Sequence, residues 1–218
     1  MSGPFELVLF DCDGVLVDSE RIANEVFARI LHEEYGLILT LEQMYDRFLG
    51  RSFDQCLATI EDMIGKPPSA SIRDRYRTEA RHAMAARLTA VKGVERVLKD
   101  LRIPYCVASN GSHETMRLTL GKTKLLPLVE GRLYSAADVE RGKPHPDVYQ
   151  YAARRMDATD PAKCLVIEDS PWGVQAGIAA NMTVFGYCER TPAATLTAAG
   201  AAYTFDAMDQ LLDFIETH

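Results

Sequence analysis

Four short polar clusters each follow an apolar, strand-like run, and together they contain the groups needed to remove a phosphoryl group from a small molecule. The clusters are Asp11 with Asp13, Ser109 with Asn110 and Gly111, Lys143, and Glu168 with Asp169. The carboxyl ends of the strands in an open α/β sheet meet at one edge, and ligands bind there. We therefore expect the four clusters to form one site.

The two aspartates of the first cluster are the candidate reactive groups. Asp11 and Asp13 follow the apolar run Leu7–Phe10 and are two residues apart, so on an extended chain both face one pocket and Cys12 faces away. An ionised carboxylate can attack phosphorus, and a second one can protonate the leaving group. Asp11 is thus the candidate nucleophile and Asp13 the candidate general acid and base. Taken alone, the pair is better explained as a turn that ends the strand.

The acidic residues also predict a metal site. Carboxylates that share a pocket with a phosphate dianion repel one another unless a cation is present. Glu168 and Asp169 follow a second strand-like run and would supply further oxygen ligands beside Asp11 and Asp13, which suits Mg²⁺. The alternative for Glu168 and Asp169 is a simple interaction with the start of the next helix.

The other two clusters predict an anion site. Ser109, Asn110 and Gly111 come at the start of a predicted helix, where a hydroxyl and exposed main-chain amides can meet a phosphate. Lys143 lies between a glycine and Pro144, which stiffens the loop and fixes the charge. The alternatives are a helix cap for Ser109 and a solvated surface position for Lys143.

The order of the predicted elements indicates an α/β fold with an insertion. The first strand is followed by helical patterns only, and strands and helices then alternate from about residue 92, which is typical of a doubly wound parallel sheet. We predict a Rossmann-like core domain of residues 1–17 and 89–218 and an all-helical domain of residues 18–88. The strands are expected at residues 7–10, 105–108, 165–167 and 183–185.

Composition excludes several classes of protein. The chain has 218 residues and a net charge of −7, and it lacks the basic stripe of a nucleic-acid binder. No apolar run is long enough to cross a membrane, and the first residues, MSGPFELV, lack the pattern of a signal peptide, so we expect a cytoplasmic protein. The five cysteines show no CxxC spacing and are expected to be reduced. We expect a monomer or a weak homodimer.

The stretches FDCDGVLVDSE, SNGSHETMRLTLGK and GKPHPDVYQYAA resemble the haloacid dehalogenase (HAD) superfamily of phosphohydrolases. Within it they look most similar to the β-phosphoglucomutase-like group, which has a helical cap, and to the 6-phosphogluconate phosphatase type. The resemblance implies that Asp11 is phosphorylated, that Asp13 is the general acid and base, and that Ser109 and Lys143 hold the phosphate. It implies that Asp11, the main-chain oxygen of Asp13 and Asp169 bind Mg²⁺, with Glu168 in or just behind the first ligand shell.

The resemblance also indicates a substrate-selecting loop in the helical insertion. The segment FLGRSFD and the residue just before it supply Arg47, Gly50, Arg51 and Ser52 as candidate contacts to the substrate. The mutase relatives carry an arginine one residue after the serine, where this chain has Phe53. The alternative is that both arginines are solvated or pair with nearby acids.

Two departures from related sequences favour hydrolysis. β-Phosphoglucomutase uses a histidine on the first cap helix, and Ala23 stands at that place here. Dehalogenases of the superfamily lack the second aspartate, which this chain has as Asp13. We therefore expect a Mg²⁺-dependent phosphatase that acts on a small phosphorylated sugar, sugar acid or polyol. The alternatives are a phosphosugar mutase and a noncatalytic binding protein of the same fold.

Overall fold

The structure is a computed structural model that describes residues 4–48 and 53–217. It consists of two compact units, one formed by Met1–Asp18 and Thr89–His218 and the other by Ser19–Leu88. Among the described residues, none of the helices combines the length and the apolar character that crossing a bilayer requires.

The larger unit contains a six-stranded sheet in which every pairing is parallel. Its strands are β1 (Leu7–Phe10), β2 (Tyr105–Ser109), β3 (Leu133–Ser135), β4 (Cys164–Glu168), β5 (Thr183–Tyr187) and β6 (Tyr203–Phe205), in the spatial order β3-β2-β1-β4-β5-β6. Strands β1, β2 and β4 are buried along their whole length. Continuous apolar strands of this kind are expected where helices cover both faces of a parallel sheet.

Helices lie between the strands and after β6, as the doubly wound pattern predicts. They are α5 (Val94–Asp100), α6 (His113–Lys122), α7 (Leu126–Val129), α8 (Asp147–Arg155), α9 (Pro171–Ala179), α10 (Ala193–Ala199) and α11 (Leu211–Thr217). The chain leaves β1 toward β2 on one side and returns to β4 on the other, so the strand order reverses beside β1. Ligand sites of open α/β sheets lie at such a point.

The pairing register brings the ends of three strands together. Phe10 pairs with Val107 of β2 and with Ile167 of β4. The residues that follow these positions therefore emerge at the same edge of the sheet. They include Asp11, whose main-chain N–H donates to the carbonyl of Ile167 at 3.0 Å.

Two strands of the observed sheet were not predicted from the sequence. β3 and β6 have three residues each and are the edge strands. A segment of three residues is too short to display an alternating or continuous apolar pattern. Both strands are defined by their single parallel neighbour, which the local sequence does not reveal.

Among its described residues, the smaller unit has helices joined by loops and no strand. Its helices are α1 (Ser19–Tyr35), α2 (Leu41–Phe48), α3 (Phe53–Ile64) and α4 (Ile72–Arg87). Its core is formed by apolar side chains at helical spacing, among them Val26, Phe27, Ile30 and Leu31 of α1. Arg75 of α4 adds ion pairs with three carboxylates, two of which belong to α1.

The two segments that connect the units pair with each other. The main-chain N–H of Asp18 donates to the carbonyl of Thr89 at 3.0 Å, and that of Val91 donates to the carbonyl of Leu16 at 3.0 Å. A single antiparallel bridge joins Val17 and Ala90 between them.

Candidate active site

The predicted site residues of three strands lie at one edge of the sheet and are buried. Asp11 directly follows β1 and is 8% exposed, Ser109 ends β2, and Glu168 ends β4 and is 1% exposed. Ionised side chains are rarely buried unless they are paired. The partners of these carboxylates therefore show what the site is built to do.

Lys143 pairs with two of the carboxylates. Its Nζ atom contacts Asp11 Oδ1 and lies 2.7 Å from Glu168 Oε1, and its side chain is only 4% exposed. Lys143 is thus a buried cation and not the surface lysine that the sequence left as an alternative. Its position in the loop before α8 brings a positive charge to the ends of β1 and β4.

The loop that carries Lys143 is held by Asn110. The main-chain N–H of Lys143 donates to Asn110 Oδ1 at 2.8 Å, and Asn110 Nδ2 donates to the Lys143 carbonyl at 3.2 Å. A Cβ atom at Gly142 would lie 2.6 Å from Asn110 Oδ1, so this close approach requires glycine. We predicted that Asn110 contacts the substrate, and the structure uses both ends of its amide to fix the lysine loop.

Both carboxylate oxygens of Glu168 accept hydrogen bonds from protein donors. Its Oε1 atom accepts from Lys143 at 2.7 Å and from the Tyr149 hydroxyl at 2.8 Å. Its Oε2 atom accepts from the main-chain N–H groups of Asp169 and Ser170, both at 3.1 Å, and from the Ser170 hydroxyl at 3.0 Å. An ionised carboxylate offers about four lone-pair positions. Glu168 therefore uses much of its accepting capacity for protein donors, and it holds Lys143 and the start of α9 in place.

The charges of Asp11 and Lys143 depend on each other. Burial raises the pKa of Asp11 from its usual 3.8 to about 7; Lys143 opposes this rise, and Glu168 and Asp13 add to it. Burial alone would lower the pKa of Lys143, but the negative charges of Asp11 and Glu168 outweigh it and raise that pKa above the ordinary value. Lys143 therefore remains charged, whereas Asp11 needs additional positive charge nearby to be fully ionised at neutral pH.

The carboxylates are close enough to share a cation. Asp11, Glu168 and Asp169 each offer an oxygen atom, and these atoms lie within 4.8 Å of one another. Asp169 approaches the turn after β1 so closely that a Cβ atom at Gly14 would be 1.9 Å from its Oδ2 atom. Three buried carboxylates beside one lysine leave an excess of negative charge, and oxygen ligands suit a hard divalent cation. The residues thus fit a divalent metal.

The serine cluster and Asp13 converge on Gly111. The Gly111 main-chain N–H donates to Ser109 Oγ at 3.0 Å. A Cβ atom at Gly111 would lie 3.3 Å from Ser109 Oγ and 3.8 Å from Asp13 Oδ2. The Ser109 hydroxyl and the Gly111 main-chain amide therefore lie close to the carboxylate of Asp13, the predicted general acid and base.

Cys12 is a buried thiol between the two aspartates in sequence. Burial raises its pKa well above the usual value, and the negative charges of Asp13 and Asp11 raise it further. The thiol therefore stays protonated, which makes it a poor nucleophile. All five cysteines are free, and four of them are buried.

The candidate substrate loop is only partly described. Arg47 lies in the last turn of α2, where its Nη1 atom donates to the carbonyl of Gln43 at 3.3 Å. Gly50, Arg51 and Ser52 lie outside the described residues. Their predicted contacts to the substrate remain predictions.

Sequence reasoning missed two residues that support the site. Tyr149 was not among the predicted site residues. A tyrosine in a core position needs a hydrogen-bond partner, and this was an available signal. Ser135 ends the unpredicted strand β3, is fully buried, and donates from Oγ to the carbonyl of Gly111 at 2.7 Å. No local pattern indicated Ser135, because its role depends on the pairing of β3 with β2.

Comparisons with known proteins agree with this geometry. The 6-phosphogluconate phosphatase of Escherichia coli K12 is 33% identical over 184 residues, which are 84% of this chain and 82% of that protein. The structure of a HAD family hydrolase from Deinococcus radiodurans R1, with bound phosphate and sodium, is 34% identical and has a TM-score of 0.86 over 99% of both chains. A provisionally named β-phosphoglucomutase from Thermotoga maritima is 26% identical, with a TM-score of 0.76 over 97% of this chain and 98% of that one.

The similarity to a phosphatase and to a β-phosphoglucomutase-like structure confirms the resemblance that the motifs indicated. The family model of haloacid dehalogenase-like hydrolases matches residues 5–181, which include all four polar clusters of the site. This chain belongs to the haloacid dehalogenase-like hydrolase family.

Proposed function

We propose that this chain is a Mg²⁺-dependent phosphatase that hydrolyses a small phosphorylated sugar, sugar acid or polyol through a phosphorylated Asp11. The enzyme is a phosphoric monoester hydrolase. The observation that carries the proposal is the buried Lys143, which contacts Asp11 and Glu168 beside Asp169. This arrangement combines a carboxylate nucleophile with positive charge where a phosphoryl group would bind.

In the first step, an oxygen of Asp11 forms a bond to phosphorus while the bond from phosphorus to the ester oxygen breaks. Asp13 donates its proton to the departing alkoxide, which leaves as an alcohol. In the second step, a water molecule attacks the phosphorus of the acyl phosphate and gives its proton to Asp13. The bond between phosphorus and Asp11 breaks, inorganic phosphate leaves, and both aspartates return to their starting states.

Other groups of the site stabilise the transferred phosphoryl group. Lys143 offers an ammonium to its oxygens. Ser109, whose Oγ atom accepts from the Gly111 main-chain N–H, offers them its hydroxyl hydrogen. Asp11, Asp169 and the main-chain oxygen of Asp13 would hold Mg²⁺. The bound ion supplies positive charge that keeps Asp11 ionised and offsets the charge of the phosphoryl oxygens.

The substrate class rests on the relatives and on the helical unit. The relative from Escherichia coli is named for a phosphorylated sugar acid. We assign the choice of leaving group to the helical residues 18–88, where Arg47 and Arg51 offer charges to a polar substrate.

The test is phosphate release from a panel of sugar, sugar-acid and polyol phosphates, with Mg²⁺ and with excess chelator. The proposal expects release from some panel members, dependence on Mg²⁺, and no release by the Asp11→Asn variant. Interconversion of sugar phosphates without release would instead identify a mutase. Tight binding of a panel member without any turnover would identify a noncatalytic binding protein.

A further inference from the structure

Tyr149 of α8 touches both charged groups that surround the reactive aspartate. Its side chain is fully buried in an apolar cluster that packs against the sheet. Its hydroxyl donates to Glu168 Oε1 at 2.8 Å, and its ring centroid lies 4.6 Å from Lys143 Nζ. Phenylalanine would fill the same apolar space, so packing alone does not account for a hydroxyl at this position.

Tyr149 contacts Glu168 Oε1. This oxygen also binds Lys143, and it therefore competes with a phosphoryl group for the lysine ammonium. Lys143 Nζ lies 2.7 Å from Glu168 Oε1 and contacts Asp11 as well. In phosphoryl transfer the same ammonium must also contact the phosphoryl oxygens and stabilise their negative charge. A hydroxyl that donates to Oε1 stabilises part of the carboxylate's negative charge. Hydrogen bonds to ionised acceptors are stronger than those between neutral groups.

We propose that Tyr149 is a positioning residue that makes Lys143 available to the phosphoryl group. Its hydroxyl satisfies Glu168 Oε1 so that this oxygen holds the ammonium less tightly, and its ring supports the ammonium from the apolar side. The inference rests on the proposed phosphatase function. Tyr149 acts only through Glu168 and Lys143.

The experiment compares Tyr149→Phe with the matched control Tyr105→Phe. Tyr105 is also buried, and its hydroxyl donates to the carbonyls of Leu98 at 2.8 Å and Leu128 at 3.1 Å. Each variant loses one buried hydroxyl, but only Tyr149→Phe loses a hydroxyl that contacts Glu168. The measurements are the dissociation constant of inorganic phosphate by calorimetry in Mg²⁺, and kcat/KM for p-nitrophenyl phosphate, both corrected for the folded fraction.

We expect Tyr149→Phe to weaken phosphate binding and lower kcat/KM by about tenfold each, the effect of one hydrogen bond to a charged group. Tyr105→Phe should stay within about twofold of the parent in both measurements. Values for Tyr149→Phe that also stay within about twofold of the parent would overturn the proposal.

A second comparison separates positioning from packing. In a Glu168→Gln background the carboxylate that Tyr149 contacts no longer competes for Lys143, so adding Tyr149→Phe should change the phosphate dissociation constant by less than about twofold. A further tenfold weakening there would contradict the proposal. If Tyr149→Phe alone does not fold, a tenfold weakening in the Glu168→Gln background would still overturn the proposal. A parent protein that binds phosphate but hydrolyses no ester would refute the proposed function, and the binding comparison would still test Tyr149.

Discussion

Asp11→Asn should stabilise the metal-free protein while it abolishes turnover. Asparagine has nearly the shape of the aspartate and resembles its protonated form, but it has no charge and cannot attack phosphorus. In the parent protein, the buried carboxylate contacts Lys143 and lies near Glu168 and Asp169. The substitution therefore removes the proposed nucleophile together with a charge that is costly to bury.

The pKa of Asp11 gives the magnitude of this stabilisation. Burial first, and then Glu168 and Asp13, raise that pKa from 3.8 to about 7 against the opposing effect of Lys143. Each pKa unit between the folded and unfolded states is worth about 1.4 kcal/mol, so ionising Asp11 in the folded protein costs about 4 kcal/mol. The contribution of the protonated carboxyl to stability is complete below pH 3.8 and is lost as the pH rises through about 7.

The assay is urea unfolding in excess chelator at pH 8 and at pH 5. We expect Asp11→Asn to exceed the parent in free energy of unfolding by about 4 kcal/mol at pH 8 and by about 2 kcal/mol at pH 5. The exposed Asp62→Asn serves as the control and should stay within about 0.5 kcal/mol of the parent at both pH values. Equal stability of Asp11→Asn and the parent at pH 8 would refute the idea that Asp11 is held under electrostatic strain until a cation binds.

Three further substitutions test the support of the site and the choice of substrate. Gly173→Ala places a Cβ atom 1.7 Å from Glu168 Oε1 and should lower kcat/KM at least tenfold, whereas Gly121→Ala, with its nearest atom at 4.0 Å, should leave it unchanged. Ser135→Ala removes a buried hydrogen bond to the Gly111 carbonyl, in the proposed phosphate-binding loop, and should raise KM several-fold with a loss of about 1 kcal/mol in stability, measured by kinetics and urea unfolding. Arg47→Ala should reorder the preference among sugar phosphates but leave p-nitrophenyl phosphate hydrolysis unchanged; equal losses on all substrates would argue against a role in selection.

The parts of the fold that the sequence predicted are those with strong local patterns. β1, β2, β4 and β5 are apolar runs, and the helices of residues 19–88 have apolar side chains at helical spacing. The edge strands β3 and β6 were missed because pairing with one neighbour defines them, and three residues carry no period.

The residues of the site also divide into those that local sequence patterns predict and those that they do not. Asp11, Lys143 and Glu168 were predicted because their residue types and their places after apolar runs are themselves informative. Their partners were not predicted in detail, since the contacts of Tyr149 and Ser135 join residues that are far apart in the chain. Only the register of the sheet and the packing of α8 bring these groups together.

A rapid-quench experiment with a ³²P-labelled sugar phosphate that the panel identifies as a substrate would test the central claim most directly. The reaction is stopped in acid within the first turnover, the protein is digested, and the labelled peptide is identified. We predict that the label appears on the peptide that contains Asp11 before phosphate accumulates, that it decays as phosphate is released, and that it is absent from Asp11→Asn. Release of labelled phosphate with no labelled protein at any time, or a label on another peptide, would contradict the assignment of Asp11 as the nucleophile.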